Sequence, residues 1–368
     1  LRPPNVIVPF SSLLVLGGLA CSKPSEHSAL PGEAAISIAS ARPPEAIHEG
    51  KGPALTIHFY DVGQGLAALV DLPGGRHILV DTGDRPRRPG CGDPCEVASR
   101  HLISSLRADL VGAPLDLVWI THRHSDHIGG VEDVFDAVPV RAYVDNGRDD
   151  ANAEVRRARR SARGHGATIA VVDPTHLEVP LPSPAGVKLT PIVPSRWPPS
   201  CAHDPNECSI ALRIDFGSSS VLFTGDAEHE EEATLDPRGN VTLLQVAHHG
   251  SETSTSPAFL AKTKPRYAVV SAGKPNLGMN REYCHPRASI VRRLTHVLGG
   301  PQSGSLQAFD GDRCDRAVAA DWITVATSDA LWATERDGDV VLTTVGDGVF
   351  QRESAWASSS VFFLGARP

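Results

Sequence analysis

The sequence predicts an α/β (α+β) fold in which several strands end at one shared edge and present polar side chains there. Three observations carry that reading. Short β-branched runs alternate with helix-periodic segments from residue 55 to residue 298. Four potential metal ligands, His122, His124, Asp126 and His127, close one apolar run as T-H-R-H-S-D-H. Two later apolar runs end in Gly225-Asp226 and in His248-His249-Gly250-Ser251, so separate strands deliver further donors. Loops at one sheet edge take their rigidity from the scaffold while their side chains converge.

Residues 55–62 alternate like a strand and run into Gly63-Gln64-Gly65. Residues 66–71 and 77–80 continue a meander that ends at Asp81-Thr82-Gly83, and residues 96–110 have helical spacing. The run L-D-L-V-W-I over 115–120 reads as a buried strand, and Gly129-Gly130 turn the chain into a helix over 131–138. The four ligands therefore fall on a strand-to-helix loop. Imidazole nitrogen and carboxylate oxygen at this density suit a first-row divalent metal. Further strands are expected over 140–144, 168–172, 187–193, 209–216, 221–224, 241–247 and 266–271. An irregular loop through His285-Pro286 then leads to a helix ending at Leu298. Residues 151–163 form an exposed helix with five arginines, read as a solvated face in preference to a phosphate-binding patch.

A chain of 368 residues can bury one large core or two smaller ones, and 41% hydrophobic with 21% charged residues fits a globular protein. The formal net charge of -8 leaves no general basic surface for nucleic acid. Plentiful glycine (33) and proline (30) imply many turns.

Arg2 precedes an apolar run over 6–20 that is too short to span a bilayer as a permanent helix. Residues 1–21 read as a signal peptide ending at Cys21. Leu19-Ala20 before it fit a lipoprotein processing box, although Gly18 stands where leucine is usual. Residues 22–50, rich in Ser, Ala, Pro and Glu, read as a flexible tether to a folded domain over 51–350, with a tail over 351–368. The expectation is an exported chain, periplasmic or extracellular, that meets a membrane only through a lipid at Cys21; no protein partner is identifiable. Cys91, Cys95, Cys201, Cys208, Cys284 and Cys314 remain, an even set that suggests disulfides. The simplest of about fifteen pairings joins neighbours in sequence.

The order of the segments F-Y-D-V-G-Q-G-L-A, I-L-V-D-T-G, T-H-R-H-S-D-H-I-G-G, N-E-C-S-I-A-L-R-I-D-F-G, V-L-F-T-G-D and V-A-H-H-G-S resembles the metallo-β-lactamase fold superfamily. Within it the closer likeness is to the branch related to the extracellular domain of the ComEC-type DNA-uptake channel. The later C-H-P and T-E-R-D-G-D-V also match, so the resemblance spans roughly 54–350. It implies a four-layer αββα sandwich with a dinuclear metal site at one sheet edge. His122 and His124 would bind one ion, Asp126 and His127 the other, with Asp226 bridging them. His248 corresponds to the late histidine ligand, with His249 as the alternative. Asp81 would orient a ligand histidine or the bridging water. Asn206, Ser209 and His285 would line the pocket, His285 and Asp81 joining Asp126 as catalytic positions.

One departure matters. Many superfamily members place another histidine ligand where this chain has N-E-C-S; His203 lies three residues before Asn206 and reads as a surface residue. The ions implied are divalent, zinc foremost and manganese as the alternative. Two such ions lower the pKa of a shared water from about 15.7 toward about 7. The expected activity is hydrolysis of phosphodiesters, either nucleic acid or small molecules. The alternatives are a lactamase, thioesterase or lactonase, and a surface module that binds without turnover. No nucleophile elbow, phosphate loop or dinucleotide fingerprint competes.

Overall fold

The structure, a computed structural model, describes residues 53–353. The expected signal peptide, Cys21 and the tether lie outside the described residues, as does the tail beyond Glu353. Sixteen strands are formed among the described residues: β1 (Leu55–Phe59), β2 (Ala68–Leu72), β3 (Arg76–Val80), β4 (Leu117–Trp119), β5 (Ala142–Asp145), β6 (Thr168–Val171), β7 (Val187–Ile192), β8 (Ala211–Phe216), β9 (Ser219–Phe223), β10 (Leu243–Gln245), β11 (Tyr267–Val270), β12 (Gly304–Phe309), β13 (Trp322–Thr327), β14 (Leu331–Ala333), β15 (Val340–Thr344) and β16 (Gln351–Arg352). The helices are α1 (Asp93–Leu110), α2 (Ser125–Ile128), α3 (Val131–Ala137), α4 (Ala153–Gly164), α5 (His229–Thr234), α6 (Pro257–Thr263), α7 (Asn280–Tyr283), α8 (Ala288–Leu298) and α9 (Thr334–Asp337).

Two sheets result, ordered β16-β15-β1-β2-β3-β4-β5-β6 and β14-β11-β10-β9-β8-β7, with β12 and β13 pairing separately. Strand periodicity explains the layers, since successive side chains point to opposite faces. Ile78 and Val80 of β3, Leu117 and Trp119 of β4, and Val221 and Phe223 of β9 meet in one core between the sheets. The Phe59 and Phe223 rings touch across it, with centroids 5.8 Å apart. Leu79, Val118 and Tyr143 point the other way, against Leu106 of α1, Phe135 of α3 and Val155 of α4. On the second sheet Leu222, Leu244 and Val270 face Phe259 and Leu260 of α6 and Val291 and Leu294 of α8. The architecture is the αββα sandwich, with the separate β12–β13 pair packed against α8.

The expected strands and helices up to residue 298 are all present, within a few residues at their ends. A difference lies in the metal-ligand loop, where Ser125–Ile128 close into a helical turn. Strands β12 to β16 and helices α5 and α6 go beyond the sequence reading. Strand β15 pairs antiparallel with β1, a partner nearly the whole chain away, which no local pattern reveals.

Parallel pairing of β3 with β4, and of β10 with β9 and β11, sends the chain out of both sheets at one edge. Trp119 Nε1 donates to the Ile210 carbonyl at 3.0 Å, and Ile210 N–H donates to the Thr121 carbonyl at 2.9 Å, stitching the sheets together at that edge. The backbones crowd here. A Cβ on Gly65 would lie 2.7 Å from the Asp126 carbonyl oxygen. One on Gly225 would lie 2.6 Å from the Thr121 side chain, at a φ of +56° that itself favours glycine.

Candidate metal centre

His122 leaves β4, the Asp126–His127 pair follows on α2, Asp226 leaves β9, and His248-His249 leave β10. Their side chains meet between the two sheet edges. Asp226 Oδ2 lies 3.1 Å from His127 Nε2, 3.5 Å from His249 Nε2, and 3.9 Å from both His122 Nε2 and His248 Nε2. Its other oxygen, Oδ1, is buried with no hydrogen-bond partner among the described residues. Asp126 Oδ2 lies 3.6 Å from His249 Nε2. The donors form two overlapping buried groups, His122, His127 and Asp226, and Asp126, His127 and His249. His124 joins at the open side, its Nδ1 3.1 Å from His122 Nε2.

The imidazoles are oriented from behind. His127 Nδ1 donates to Asp81 Oδ2 at 2.7 Å, His249 Nδ1 to the Ser271 carbonyl at 2.7 Å, and His248 Nδ1 to Glu228 Oε1 at 2.9 Å. His122 Nδ1 lies 3.1 Å from Thr121 Oγ1, whose own hydroxyl donates to Asp81. Each Nδ1 is thus engaged, and each Nε2 faces the carboxylates. Ring orientation by a carboxylate, hydroxyl or carbonyl on the far nitrogen is the usual arrangement around metal-ligating histidine.

Electrostatics point the same way. Burial pushes the Asp226 carboxyl up, but His127, His249 and His248 outweigh it and hold the group well below the usual carboxylate range. Burial lowers His127, and the charges of Asp226 and Asp81 override that and raise it well above its ordinary value. A cluster with Asp81, Asp126 and Asp226 all buried demands positive charge at its centre. A buried carboxylate with imidazole Nε2 atoms around Oδ2 and no partner for Oδ1 fits the binding of divalent cations.

Of the two adjacent histidines, the structure brings His249 into the cluster. Its neighbour His248 turns Nε2 to Asp226 at 3.9 Å, while its Nδ1 is tied to Glu228 and lies 3.2 Å from Thr253, and it falls outside both buried groups. Asn206 reaches Glu228 at 3.1 Å and the His248 ring at 3.5 Å, at the mouth of the site. Ser209 is fully buried beneath it, where its hydroxyl accepts the Asp226 N–H at 3.3 Å. His285 is buried beside His248, ring centroids 5.4 Å apart, and its Nδ1 has no partner among the described residues. His203 is exposed, and the loop between Cys201 and Cys208 carries no histidine into the cluster.

The sequence reading missed Glu228, Thr121 and a group on the opposite side of the cluster. There Arg88 binds Asp84 at 2.5 Å and the Tyr283 hydroxyl, and approaches Asp126 Oδ1 at 3.8 Å. Arg88 and Tyr283 are 195 residues apart, so only the fold joins them. Cys91–Cys95, Cys201–Cys208 and Cys284–Cys314 are disulfide-bonded, the pairs of sequence neighbours that were expected.

The model of the Metallo-beta-lactamase superfamily matches residues 60–274. Recombination protein 2 of Haemophilus influenzae is 28% identical over 246 residues, 66% of this chain and 26% of that protein. ComE operon protein 3 of Bacillus subtilis is 29% identical over 274 residues, 68% of this chain and 32% of that protein. Competence protein ComA of Neisseria gonorrhoeae is 29% identical over 273 residues, 72% of this chain and 33% of that protein. The chain spans about a quarter to a third of the length of these relatives. The Neisseria protein is named a competence protein, in keeping with the branch that the motifs resemble. With more than half of its length matched to the family model, the chain belongs to the metallo-beta-lactamase superfamily.

Proposed function

We propose that this protein is a metal-dependent hydrolase of phosphodiester bonds. The observation that carries the reading is the convergence of His122, His127 and His249 Nε2 on the buried carboxylates Asp126 and Asp226. His122, His124 and Asp226 would hold one divalent ion, and Asp126, His127 and His249 a second, with Asp226 shared. Zinc suits the imidazole-rich set, and manganese suits the oxygen share. Bound there, the ions supply Lewis acidity and a water ionised near neutral pH.

The chain's own groups do the rest. Asp81 fixes the His127 ring, and the Ser271 carbonyl fixes His249. Ser209 holds the Asp226 backbone through its N–H, and Glu231 in turn accepts the Ser209 N–H at 3.1 Å. Asn206 Nδ2, bonded to Glu228, and His285 Nδ1, which has no partner among the described residues, would hydrogen-bond substrate oxygens. Arg88, with only part of its hydrogen-bonding capacity used by Asp84 and Tyr283, supplies positive charge beside Asp126.

Three disulfides suit an oxidising compartment, which supports export. No helix among the described residues is long and apolar enough to cross a membrane. Lipid anchoring at Cys21 belongs to the same proposal and rests on the sequence alone.

The test is a substrate panel on purified protein loaded with zinc or manganese: bis-nitrophenyl phosphate, single-stranded DNA, RNA and nitrocefin. Phosphodiester turnover that disappears on chelation is the expected result. Turnover of nitrocefin without any phosphodiester would replace this reading with a lactamase. No turnover and less than about one metal per chain would leave a binding module.

A further inference from the structure

The helix α4 carries Arg156, Arg157, Arg159, Arg160 and Arg163, and the structure sorts them into two kinds. Arg157 and Arg159 turn toward carboxylates. Arg157 pairs with Glu154 and lies 3.5 Å from Glu132, while Arg159 pairs with Asp145 at 2.7 Å and with Asp150. Arg156, Arg160 and Arg163 are exposed and have no carboxylate partner among the described residues. They stand at i, i+4 and i+7, on one face of the helix, over roughly 10 Å of its length. A row of like charges at this spacing repels itself. The chain keeps it although its net charge is -8.

This row has a defined place relative to the metal centre. Helix α4 packs against α2, which carries Asp126 and His127. The loop entering α4 is tied to the ligand motif by Arg123, between His122 and His124, whose guanidinium binds Asp149 at 2.6 Å. In the same loop Arg148 has no ion-pair partner among the described residues and a buried Nε without a hydrogen bond. Asn146, at the loop's start, donates to the Cys208 carbonyl at 2.8 Å and joins it to the segment bearing Asn206. The nearby acids are already engaged: Asp149 by Arg123, Asp150 by Arg159, and Glu154 by Arg85 and Arg157.

We propose that Arg156, Arg160 and Arg163 bind the phosphate backbone of a single-stranded nucleic acid and lead it past Arg148 to the metal centre. A single line of charge meets a single backbone, and neutralised phosphates release counterions, which gives binding its strength and its salt dependence. Delivery to the centre rests on the phosphodiesterase reading. Binding to the arginine row does not.

The experiment separates the two. Anisotropy of a fluorescein-labelled thymidine oligonucleotide of about 20 nucleotides is titrated with chelator-treated protein between about 50 and 200 mM salt. The R156Q/R160Q/R163Q variant should bind at least about tenfold more weakly, with a log–log salt slope smaller by about 2, three phosphate contacts at about 0.7 each. The control R238Q/R313Q/R316Q removes three exposed arginines elsewhere and should match the unaltered protein. Should the triple variant fail to melt cooperatively, R160E carries the same comparison. No binding by the unaltered protein at the lowest salt, or equal slopes for the α4 variant and the control, overturns the proposal. With metal-loaded protein, the α4 variant should raise KM for the oligonucleotide and leave bis-nitrophenyl phosphate turnover unchanged. Equal loss on both substrates also overturns it. Binding without any hydrolysis supports the arginine row and removes the phosphodiesterase reading instead.

Discussion

Asp81 accepts a hydrogen bond from His127 Nδ1 at 2.7 Å, and both side chains are fully buried. The same carboxylate accepts the Thr121 N–H and hydroxyl, each at 2.8 Å. One residue at the end of β3 therefore fixes the exit of β4 and aims the histidine beyond it. Asp81 adopts a φ of 56°, unusual for a residue other than glycine.

Replacing Asp81 by alanine should lower metal affinity by about 10–100-fold, the usual effect of losing such a partner. Leaving the Thr121 donors unpaired should also cost about 1–3 kcal/mol of stability. Metal content by mass spectrometry and thermal melting check both. Loss of metal as complete as in Asp226→Asn would make Asp81 a direct ligand.

His122→Ala, His124→Ala and Asp226→Asn should each remove metal and abolish hydrolysis while melting remains cooperative. The cores between the layers do not include these side chains. Full metal content in any of them would move the centre elsewhere.

His249→Ala should lose more metal than His248→Ala, because only His249 Nε2 lies within 3.6 Å of both Asp126 and Asp226. Equilibrium dialysis of the two variants at matched zinc concentrations measures the difference. The reverse order would return the ligand role to His248.

Glu335 has its carboxyl pushed up to about 7, chiefly by burial and against an N–H bond from Gln307. A carboxyl raised in the fold binds its proton more tightly there than in the unfolded chain. Between pH 4.5 and about 7 the unfolded chain is then the first to ionise, and stability falls as pH rises. Glu335→Gln should flatten that slope, by about 1–2 kcal/mol after allowing for partial hydration. Denaturant melts across this window read it directly.

Removing the Cys201–Cys208 bond with paired serines should cost about 2–3 kcal/mol. Asn206 should lose its fixed position at the same time, since the bond closes the turn that holds it. Thiol counting on denatured, unreduced protein should find none of the six cysteines free. Six free thiols would remove the argument for export.

Much of the donor cluster was legible in one dimension because its candidate ligands sit where strands stop. The T-H-R-H-S-D-H run, Gly225-Asp226 and His248-His249 each follow an apolar run, and parallel pairing alone brings strand ends to one edge. Residue identity also pointed to metal binding, since imidazole and carboxylate have few other reasons to be so dense.

Two things required the tertiary structure. Which of His248 and His249 joins the buried donor groups depends on the left-handed turn after β10, with φ of 48° and 53°, which brings His249 among them and ties the His248 Nδ1 to Glu228. The grouping of Arg88, Asp84, Tyr283 and Asp126 joins chain segments across 195 residues, and no periodicity encodes such a meeting. The same holds for the five arginines of α4. Their spacing was visible, but which of them lack carboxylates was decided by the neighbours that folding placed around the helix. Sequence sets the residue types and the strand ends; packing sets which nitrogen faces which oxygen, because that depends on distances between elements remote in the chain.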